Sequence, residues 1–368
     1  MKWNEELQNN ITTAEQLVEP LHLTDKEYRG IKQETEVFPM SVSRYYFSLI
    51  DPDDPDDPIR KMAIPTGDLD FSEGDLDTSG EQSNTKMQGV QHKYAQTVLV
   101  LTSSECAMYC RHCFRRRLVG LSEEEKAADP KKVGDYIRSH PEVTNVLLSG
   151  GDALINPTEW IAAWLDEMAG IDQLDFVRIG SRTPVTFPQR ITTDPELIEV
   201  FRRFCEKKQL YVVTHFNHPR ELTPEALLAV RMLRNEGIIV KNQTVLMKGI
   251  NDDPATLGQL LRDVTKAGIV QHYIFQCRPV KGVKTRFQVP IREGIRIVSG
   301  ANAMQNGLGK SADYTMSHVT GKIRILGTDA SGKVVFQYKQ AKDPSMIGKI
   351  FSCDVEENAT WLPTVIPL

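Results

Sequence analysis

The run Cys106-Ala-Met-Tyr-Cys110-Arg-His-Cys113 follows closely on the apolar, strand-like segment Thr97-Val-Leu-Val-Leu-Thr102. Three thiolates on one short loop can ligate three irons of a cubane cluster and leave the fourth iron open, whereas the four-cysteine sites of ferredoxins close every corner. The alternative is a structural zinc site, which needs four ligands, with His112 as the fourth. Because adjacent His112 and Cys113 are hard to direct at one tetrahedral centre, the spacing favours an open iron–sulfur cluster.

Short strand segments alternate with helical segments downstream of the first strand. The predicted strands are Thr97–Thr102, Asn145–Leu148, Phe176–Ile179, Leu210–Thr214, Ile238–Gln243 and Tyr273–Gln276. This alternation predicts an α/β fold with a parallel sheet covered by helices, and right-handed crossovers allow the sheet to curl. Polar residues follow each strand, at the edge where barrels of this kind carry their active sites. We therefore expect a full or partial barrel.

The chain is predicted to contain three regions. Residues 1–90 are predicted to form a helical N-terminal extension, residues 91–300 the barrel, and residues 301–368 a small C-terminal α+β region. The last region is predicted to contain a hairpin with strands Lys322–Leu326 and Val334–Tyr338. The stretch from Thr66 to Gln91 is rich in Gly, Ser and Asp, which predicts a long surface loop.

Composition excludes several classes of protein. The 368 residues are 40% hydrophobic and 25% charged, which is typical of a folded soluble protein. The net charge of −5 argues against a broad basic surface for nucleic acid or anionic lipid. No apolar stretch is long enough for a membrane span, and the polar N-terminus shows no secretory signal. Half of the six cysteines lie in one motif and the rest are scattered, which predicts reduced thiols in a cytoplasmic protein rather than disulfides.

Taken in order, the motifs of the chain resemble those of the lysine 2,3-aminomutase family of radical S-adenosylmethionine (SAM) enzymes. The resemblance covers nearly the whole chain. Besides the cysteine motif, it rests on Tyr45-Tyr-Phe-Ser-Leu-Ile-Asp-Pro, Arg60-Lys-Met-Ala-Ile-Pro-Thr, Leu148-Ser-Gly-Gly-Asp-Ala-Leu, Arg178-Ile-Gly-Ser-Arg-Thr-Pro, Pro188-Gln-Arg-Ile and Thr214-His-Phe-Asn-His-Pro.

The resemblance implies that the α/β fold is a partial (β/α)6 TIM-like barrel, the radical SAM core. In this core Cys106, Cys110 and Cys113 would ligate a 4Fe–4S cluster. SAM would chelate the open iron, and its reductive cleavage would yield a 5′-deoxyadenosyl radical that starts amino-group migration between C2 and C3. Arg115 falls where the family binds the substrate carboxylate, for which a guanidinium is suited. The residues implied to contact SAM are Ser149, Gly150, Gly151, Asp152, Ser181, His215 and Gln243. The implied partners are a small amino acid substrate, an electron donor such as flavodoxin or ferredoxin, and further copies of the chain in a homo-oligomer.

Members of the family also use pyridoxal 5′-phosphate (PLP), which carries the migrating amino group. The nearest counterpart of the anchoring lysine is Lys310 in Asn306-Gly-Leu-Gly-Lys310, a loop with fewer glycines than the family's. The resemblance places the family's phosphate-binding arginines in the segment His92-Lys-Tyr-Ala-Gln-Thr97, where this chain has Lys93 at one such position and Thr97 at another. Lys93 and Tyr94 can still bind the phosphate, although lysine does so as a point charge rather than a fork. The alternative is a PLP-independent radical SAM enzyme, in which Lys310 is an ordinary surface lysine.

One position argues against lysine as the substrate. Lysine-specific members carry an aspartate directly after a Gln-Cys pair, whereas here Arg278 follows Gln276-Cys277. A guanidinium facing the ammonium of lysine would be repulsive, so Arg278 favours an acidic or neutral side chain such as that of glutamate. The alternative is that Arg278 forms an internal ion pair. The family's C-terminal cysteine cluster is missing, since Cys353 stands alone there, so no zinc site between subunits is expected.

Overall fold

The computed structural model describes residues 3–68, 72–121 and 123–364. The chain divides into two compact units. The first unit comprises Met1–Leu69, Gln82–His215 and Arg220–Lys241, and the second comprises Asp70–Glu81, Phe216–Pro219 and Asn242–Leu368. The division of the sequence at residues 90 and 300 stays a prediction.

Strands and helices alternate along the chain between Thr97 and Ala303, as expected from the sequence. The α-helices are α1 (Trp3–Gln8), α2 (Asp25–Val37), α3 (Arg44–Phe47), α4 (Pro58–Ala63), α5 (Glu81–Asn84), α6 (Pro130–Arg138), α7 (Thr158–Ala169), α8 (Thr183–Thr186), α9 (Gln189–Thr192), α10 (Pro195–Cys205), α11 (Pro224–Asn235), α12 (Pro254–Lys266), α13 (Lys284–Phe287) and α14 (Ile291–Ala303). The strands are β1 (Thr85–Met87), β2 (Val90–Tyr94), β3 (Thr97–Ser103), β4 (Asn145–Gly150), β5 (Phe176–Gly180), β6 (Gln209–Thr214), β7 (Ile239–Leu246), β8 (Val270–Gln276), β9 (Asp313–His318), β10 (Gly321–Thr328), β11 (Val334–Ala341) and β12 (Ile350–Cys353).

Several helices that follow strands begin with the same two-residue signal. A side-chain acceptor caps the first turn, and a proline occupies the first helical position, where its missing N–H is not needed. Asp129 caps α6, Asp194 caps α10, Thr223 caps α11 and Asp253 caps α12, each with proline next. These caps explain why the four helices begin at their prolines.

In the first unit, strands β1 to β6 are neighbours in chain order. β1, β2 and β3 pair antiparallel, and β3 to β6 pair parallel. The parallel strands consist mostly of buried apolar residues, as expected when helices cover a sheet. The predicted α/β class is confirmed, and the order and direction of these strands are compatible with a partial barrel.

In the second unit, β8 pairs parallel with β9, and β9 to β12 pair antiparallel. β7 begins in the first unit and ends in the second. The predicted C-terminal hairpin is confirmed as β10 and β11, which extend beyond the predicted bounds at both strands. Asp329 closes its turn, because its side chain accepts hydrogen bonds from Ser331 N at 2.9 Å and Lys333 N at 3.0 Å.

The prediction of one long loop from Thr66 to Gln91 was wrong for its second half. α5, β1 and the start of β2 lie there, and Gly89 turns the chain between the two strands with a φ of 72°. Gly89 O accepts a hydrogen bond from Leu101 N at 2.8 Å. β2 is thus stabilised by pairing with β3, a partner that the polar composition of the segment does not reveal.

Candidate active site

The three cysteines of the motif lie on an irregular loop that follows β3. All three are free and partly exposed. Burial raises the pKa of Cys106 well above its usual range, and the charges of Asp152, Cys113 and Cys110 add to this effect. Burial, followed by the charge of Cys110, raises the pKa of Cys113 to about 11. The three sulfur atoms are thus electrostatic neighbours, and metal binding there must displace thiol protons.

Residues of the N-terminal helical region hold the cysteine loop by its backbone. Side-chain and main-chain groups of this region bond to three loop residues within or beside the motif. The bonds are Asn10 Nδ2 to Ala107 O at 2.8 Å, Tyr109 N to Ser41 O at 2.9 Å and Arg111 N to Met62 O at 2.9 Å. Because these bonds fix main-chain atoms, they determine the course of the loop independently of any bound group.

A buried ion pair adds a side-chain link between the same two segments. Glu34, on α2, is 2% exposed and pairs with Arg111. Arg116 Nη2 lies 3.9 Å from Glu34 Oε1. The other carboxylate oxygen, Oε2, accepts hydrogen bonds from Thr66 N at 3.2 Å and Gly67 N at 3.1 Å. A single carboxylate therefore neutralises arginine charge beside the cysteines and caps backbone donors of a second loop.

The glycine pair after β4 packs against the cysteine loop. Gly150 has a φ of 120°, and a Cβ atom there would lie 2.2 Å from Ser103 O. A Cβ atom on Gly151 would lie 2.3 Å from Glu105 O. Gly151 N also donates to Ser103 O at 2.6 Å. The close approach that requires glycine here is thus to the backbone leading into Cys106, and the predicted contact of both glycines with SAM stays a prediction.

Asp152 joins the loops that follow β4 and β5. Its Oδ1 accepts hydrogen bonds from Ser181 Oγ at 2.6 Å and Leu154 N at 3.0 Å. Its Oδ2 accepts from Arg182 N at 2.7 Å and Thr183 N at 2.9 Å. Burial raises the pKa of Asp152, and these donors oppose that rise. A carboxylate has about four acceptor sites, so the observed bonds favour a positioning role, and direct contact of Asp152 with SAM stays a prediction.

The structure brings Arg115 together with two other predicted site residues. Arg115 Nη1 donates to Ser149 Oγ at 3.1 Å and to Gly150 O at 3.4 Å. Its guanidinium carbon lies 4.7 Å from the centroid of the Phe114 ring. The side chain is 6% exposed. Arg115 is therefore held at the end of β4 by contacts that fix the orientation of its planar group.

Arg182 is a buried charged residue of the site to which the sequence analysis assigned no role. Its Nη1 donates to Cys110 Sγ at 2.9 Å, and its Nε donates to His215 O at 3.1 Å. Its Nη2 donates to Tyr46 OH at 3.3 Å and to Glu221 Oε1 at 2.5 Å. The signal available in the sequence is its place directly after a predicted strand, within a motif shared with the aminomutase family.

Three predicted site residues belong to the second unit. Gln243, on β7, places its Nε2 3.3 Å from His272 Nδ1. Arg278, just after β8, donates from Nη2 to Ser317 Oγ at 2.8 Å. Lys310 is exposed in a turn between α14 and β9. Arg278 thus follows β8 and Lys310 follows α14. The predicted roles of both residues stay predictions.

The predicted phosphate contacts lie in the first unit, on β2. Lys93 and Tyr94 are both partly exposed, and Lys93 Nζ lies 5.7 Å from the centroid of the Tyr94 ring. A lysine beside an aromatic hydroxyl is chemically suited to a phosphate. Their role as PLP contacts stays a prediction.

No model of a protein family matches the sequence. Comparison with individual proteins is decisive. The chain is 42% identical over 342 residues to the putative L-lysine 2,3-aminomutase of Aquifex aeolicus. The alignment covers 92% of this chain and 91% of that protein. It is 39% identical over 308 residues to the L-lysine 2,3-aminomutase of Clostridium subterminale, covering 83% of this chain and 73% of the relative. The chain belongs to the lysine 2,3-aminomutase family.

Relatives within the lysine 2,3-aminomutase family are named for different substrates. The glutamate 2,3-aminomutase of Clostridioides difficile is 37% identical over 309 residues, covering 83% of this chain and 71% of the relative. Membership of the family confirms the prediction of a radical SAM enzyme of the aminomutase class, which is a class of isomerases. It leaves the substrate of this member open.

Comparison of folds gives distant matches to solved structures. A crystal structure of SuiB from Streptococcus suis shares 13% sequence identity, with a TM-score of 0.43, and the match covers 61% of this chain and 50% of SuiB. This similarity is too weak to support a conclusion. Among the described residues, no helix combines the length and apolar character needed to cross a bilayer.

The residues of this aminomutase-family member fit the two implied cofactors to different degrees. The donor set of the cysteine loop fits an iron–sulfur cluster, because three free thiols interact electrostatically on one braced loop. The turn before Lys310 offers less, because Lys310 is exposed and the close contact at Gly309 is with the side chain of Gln305. The structure thus supports the cluster more strongly than it supports PLP.

Proposed function

We propose that this chain moves an amino group between C2 and C3 of an amino acid other than lysine, with a glutamate-like side chain favoured. The observation that carries the proposal is the cation at Arg278, at the carboxyl end of β8. Its guanidinium is oriented by a hydrogen bond to Ser317 and suits a carboxylate far better than an ammonium. The relatives include enzymes named for lysine and an enzyme named for glutamate, two substrates whose side chains carry opposite charges.

The proposed cofactors are a 4Fe–4S cluster held by Cys106, Cys110 and Cys113, and SAM. When bound, the two together supply a 5′-deoxyadenosyl radical that abstracts hydrogen from the substrate. The proposed contacts with SAM are Ser149, Gly150, Gly151, Asp152, Ser181, His215 and Gln243. The chain's own task is to orient reactants and exclude water and oxygen. Arg115, already fixed against Ser149, is proposed to bind the substrate carboxylate through its fork.

The substrate proposal predicts a selective loss in Arg278→Asp. Anaerobic assays with reductant, SAM and a panel including glutamate and lysine are expected to give β-amino product from glutamate in the wild type. The variant places the carboxylate of an aspartate where the substrate carboxylate is proposed to bind. Because the two negative charges repel, its kcat/KM for glutamate is expected to fall by about a hundredfold or more. Arg262→Asp, the same charge change at an exposed position on α12, is the matched control. Wild-type turnover of lysine in preference to glutamate would refute this choice of substrate.

The proposal also includes PLP bound through Lys310, with Lys93 and Tyr94 near its phosphate. Borohydride reduction of holoprotein followed by mass spectrometry is expected to place a pyridoxyl group on Lys310. Lys310→Ala is expected to lose both the adduct and turnover, whereas Lys342→Ala, at another exposed lysine of the second unit, keeps them.

The exposure of Lys310 favours one alternative, a PLP-independent radical SAM enzyme that carries out another rearrangement or modification. This alternative predicts that no lysine is labelled and that Lys310→Ala retains turnover. A labelled lysine elsewhere would contradict the assignment of Lys310 while retaining PLP.

The proposed setting is the cytoplasm, with flavodoxin or ferredoxin as the electron donor and a homo-oligomeric assembly. All six cysteines are free in the part of the chain that the structure describes, which supports a reducing compartment.

A further inference from the structure

Arg182 carries a positive charge into the interior beside a predicted cluster ligand. The side chain is 9% exposed. Burial of a guanidinium is costly unless acceptors and a counter-charge surround it. Here the acceptors are a sulfur, a phenol, a carboxylate and a backbone carbonyl. Bonds to four different groups from separate segments hold the guanidinium in one orientation.

The contact with Cys110 has electrostatic consequences for a bound cluster. Nη1 lies 2.9 Å from Sγ, so an N–H group points at the sulfur that would bind iron. Hydrogen bonds to cluster sulfurs and nearby charge are two of the means by which a protein sets reduction potential. Reduction adds one negative charge to the cluster, and a nearby cation stabilises the reduced form. Arg182 by itself would therefore raise the potential.

Glu221 acts in the opposite direction. Its side chain is fully buried, and its Oε1 accepts from Arg182 Nη2 and from Tyr46 OH, the latter at 2.6 Å. The carboxylate therefore holds Arg182 in place and cancels part of its charge. Tyr46 bonds to both residues without adding a charge of its own. Cys110, Arg182 and Glu221 are thus linked by consecutive contacts, in which the cation and the anion are buried and the cysteine is partly exposed.

We propose that Arg182 and Glu221 together set the reduction potential of the cluster, Arg182 by bonding to Cys110 and Glu221 by offsetting its charge. This inference rests on the proposed function, because it requires the cluster at Cys106, Cys110 and Cys113. The step concerned is the transfer of one electron from an external low-potential reductant to the oxidised cluster. Both residues are positioning residues, since neither is placed in contact with substrate or SAM.

The test is a redox titration of anaerobically reconstituted protein with dithionite, followed by the electron paramagnetic resonance signal of the reduced cluster. Arg182→Met removes the cation and its bond, so the midpoint is expected to become more negative. Glu221→Gln leaves the cation uncompensated, so the midpoint is expected to become more positive. Tyr46→Phe removes a hydroxyl but no charge and is expected to shift the midpoint less than either.

Opposite shifts distinguish this role from a merely structural one, because general loosening of the site would move both midpoints in the same direction. Shifts in one direction, or unchanged midpoints in fully iron-loaded variants, would overturn the inference. If Arg182→Met fails to load iron, Arg182→Lys takes its place. Arg182→Lys keeps the positive charge but lacks the planar guanidinium. Its midpoint is therefore expected to lie below that of the wild type by less than the shift predicted for Arg182→Met. Failure of the wild type to bind a cluster would refute the proposed function instead.

Discussion

Replacing Cys110 with alanine is expected to eliminate cluster assembly and every activity that depends on it. The remaining two thiols leave two irons of a cubane without protein ligands, so iron content is expected to fall far below about four per chain. Production of 5′-deoxyadenosine and turnover of any amino acid are expected to become undetectable. Metal analysis, the spectrum of the reduced protein and chromatography of the nucleoside measure these three quantities.

Two further variants make the Cys110 experiment specific. Cys353→Ala removes a partly exposed thiol on β12 and is expected to retain full iron and activity. Cys110→Ser keeps an acceptor for Arg182 while removing the thiolate, and it is expected to behave like the alanine variant. A Cys110→Ala protein that kept its iron and its turnover would disprove the assignment of the ligands. Zinc in place of iron in the wild type would support the structural-metal alternative.

The second large effect is expected at Glu34, more than seventy positions before the cysteines it supports. Glu34→Ala leaves Arg111 buried without its partner carboxylate and deprives Thr66 N and Gly67 N of their acceptor. Breaking a buried ion pair on one side costs about 3–5 kcal/mol. We therefore expect the free energy of unfolding to fall by about that amount, as measured by urea denaturation.

The matched control for Glu34 is another glutamate–arginine pair on the surface. Glu199 and Arg202 are 51% and 52% exposed, so Glu199→Ala is expected to change stability little. Glu34→Gln retains an acceptor oxygen and is expected to lie between the wild type and Glu34→Ala. Equal stability of Glu34→Ala and Glu199→Ala would show that the buried pair does not brace the loop.

What the sequence revealed was local or repetitive in character. The apolar strands β3 to β6 depend on a few adjacent residues, and their bounds were predicted within one or two positions. The cysteine spacing is similarly local. The order of motifs along the chain revealed the family, because many matches in sequence are jointly specific.

What the sequence did not reveal depends on partners distant in the chain. Nothing near Glu34 indicates that it meets Arg111, and nothing near Arg182 indicates that it meets Cys110 and Glu221. The glycines at 150 and 151 indicated close approach, and the structure shows the chain's own backbone at Ser103 and Glu105 close to them, while their contact with SAM stays a prediction. The residue types predicted the chemistry available at these positions, whereas the fold determines which groups their side chains contact.

The support of the cysteine loop by the N-terminal region has a consequence for biosynthesis. Asn10, Ser41 and Met62 leave the ribosome before the cysteines do. The residues that bond to the backbone of the cysteine loop are therefore already outside the exit tunnel when the cysteines emerge. Glu221 emerges more than a hundred residues after Cys110. Iron delivered to a half-made chain would therefore meet Cys110 before Arg182 and its carboxylate partner Glu221 have emerged. We therefore expect the cluster to be assembled most effectively after translation ends.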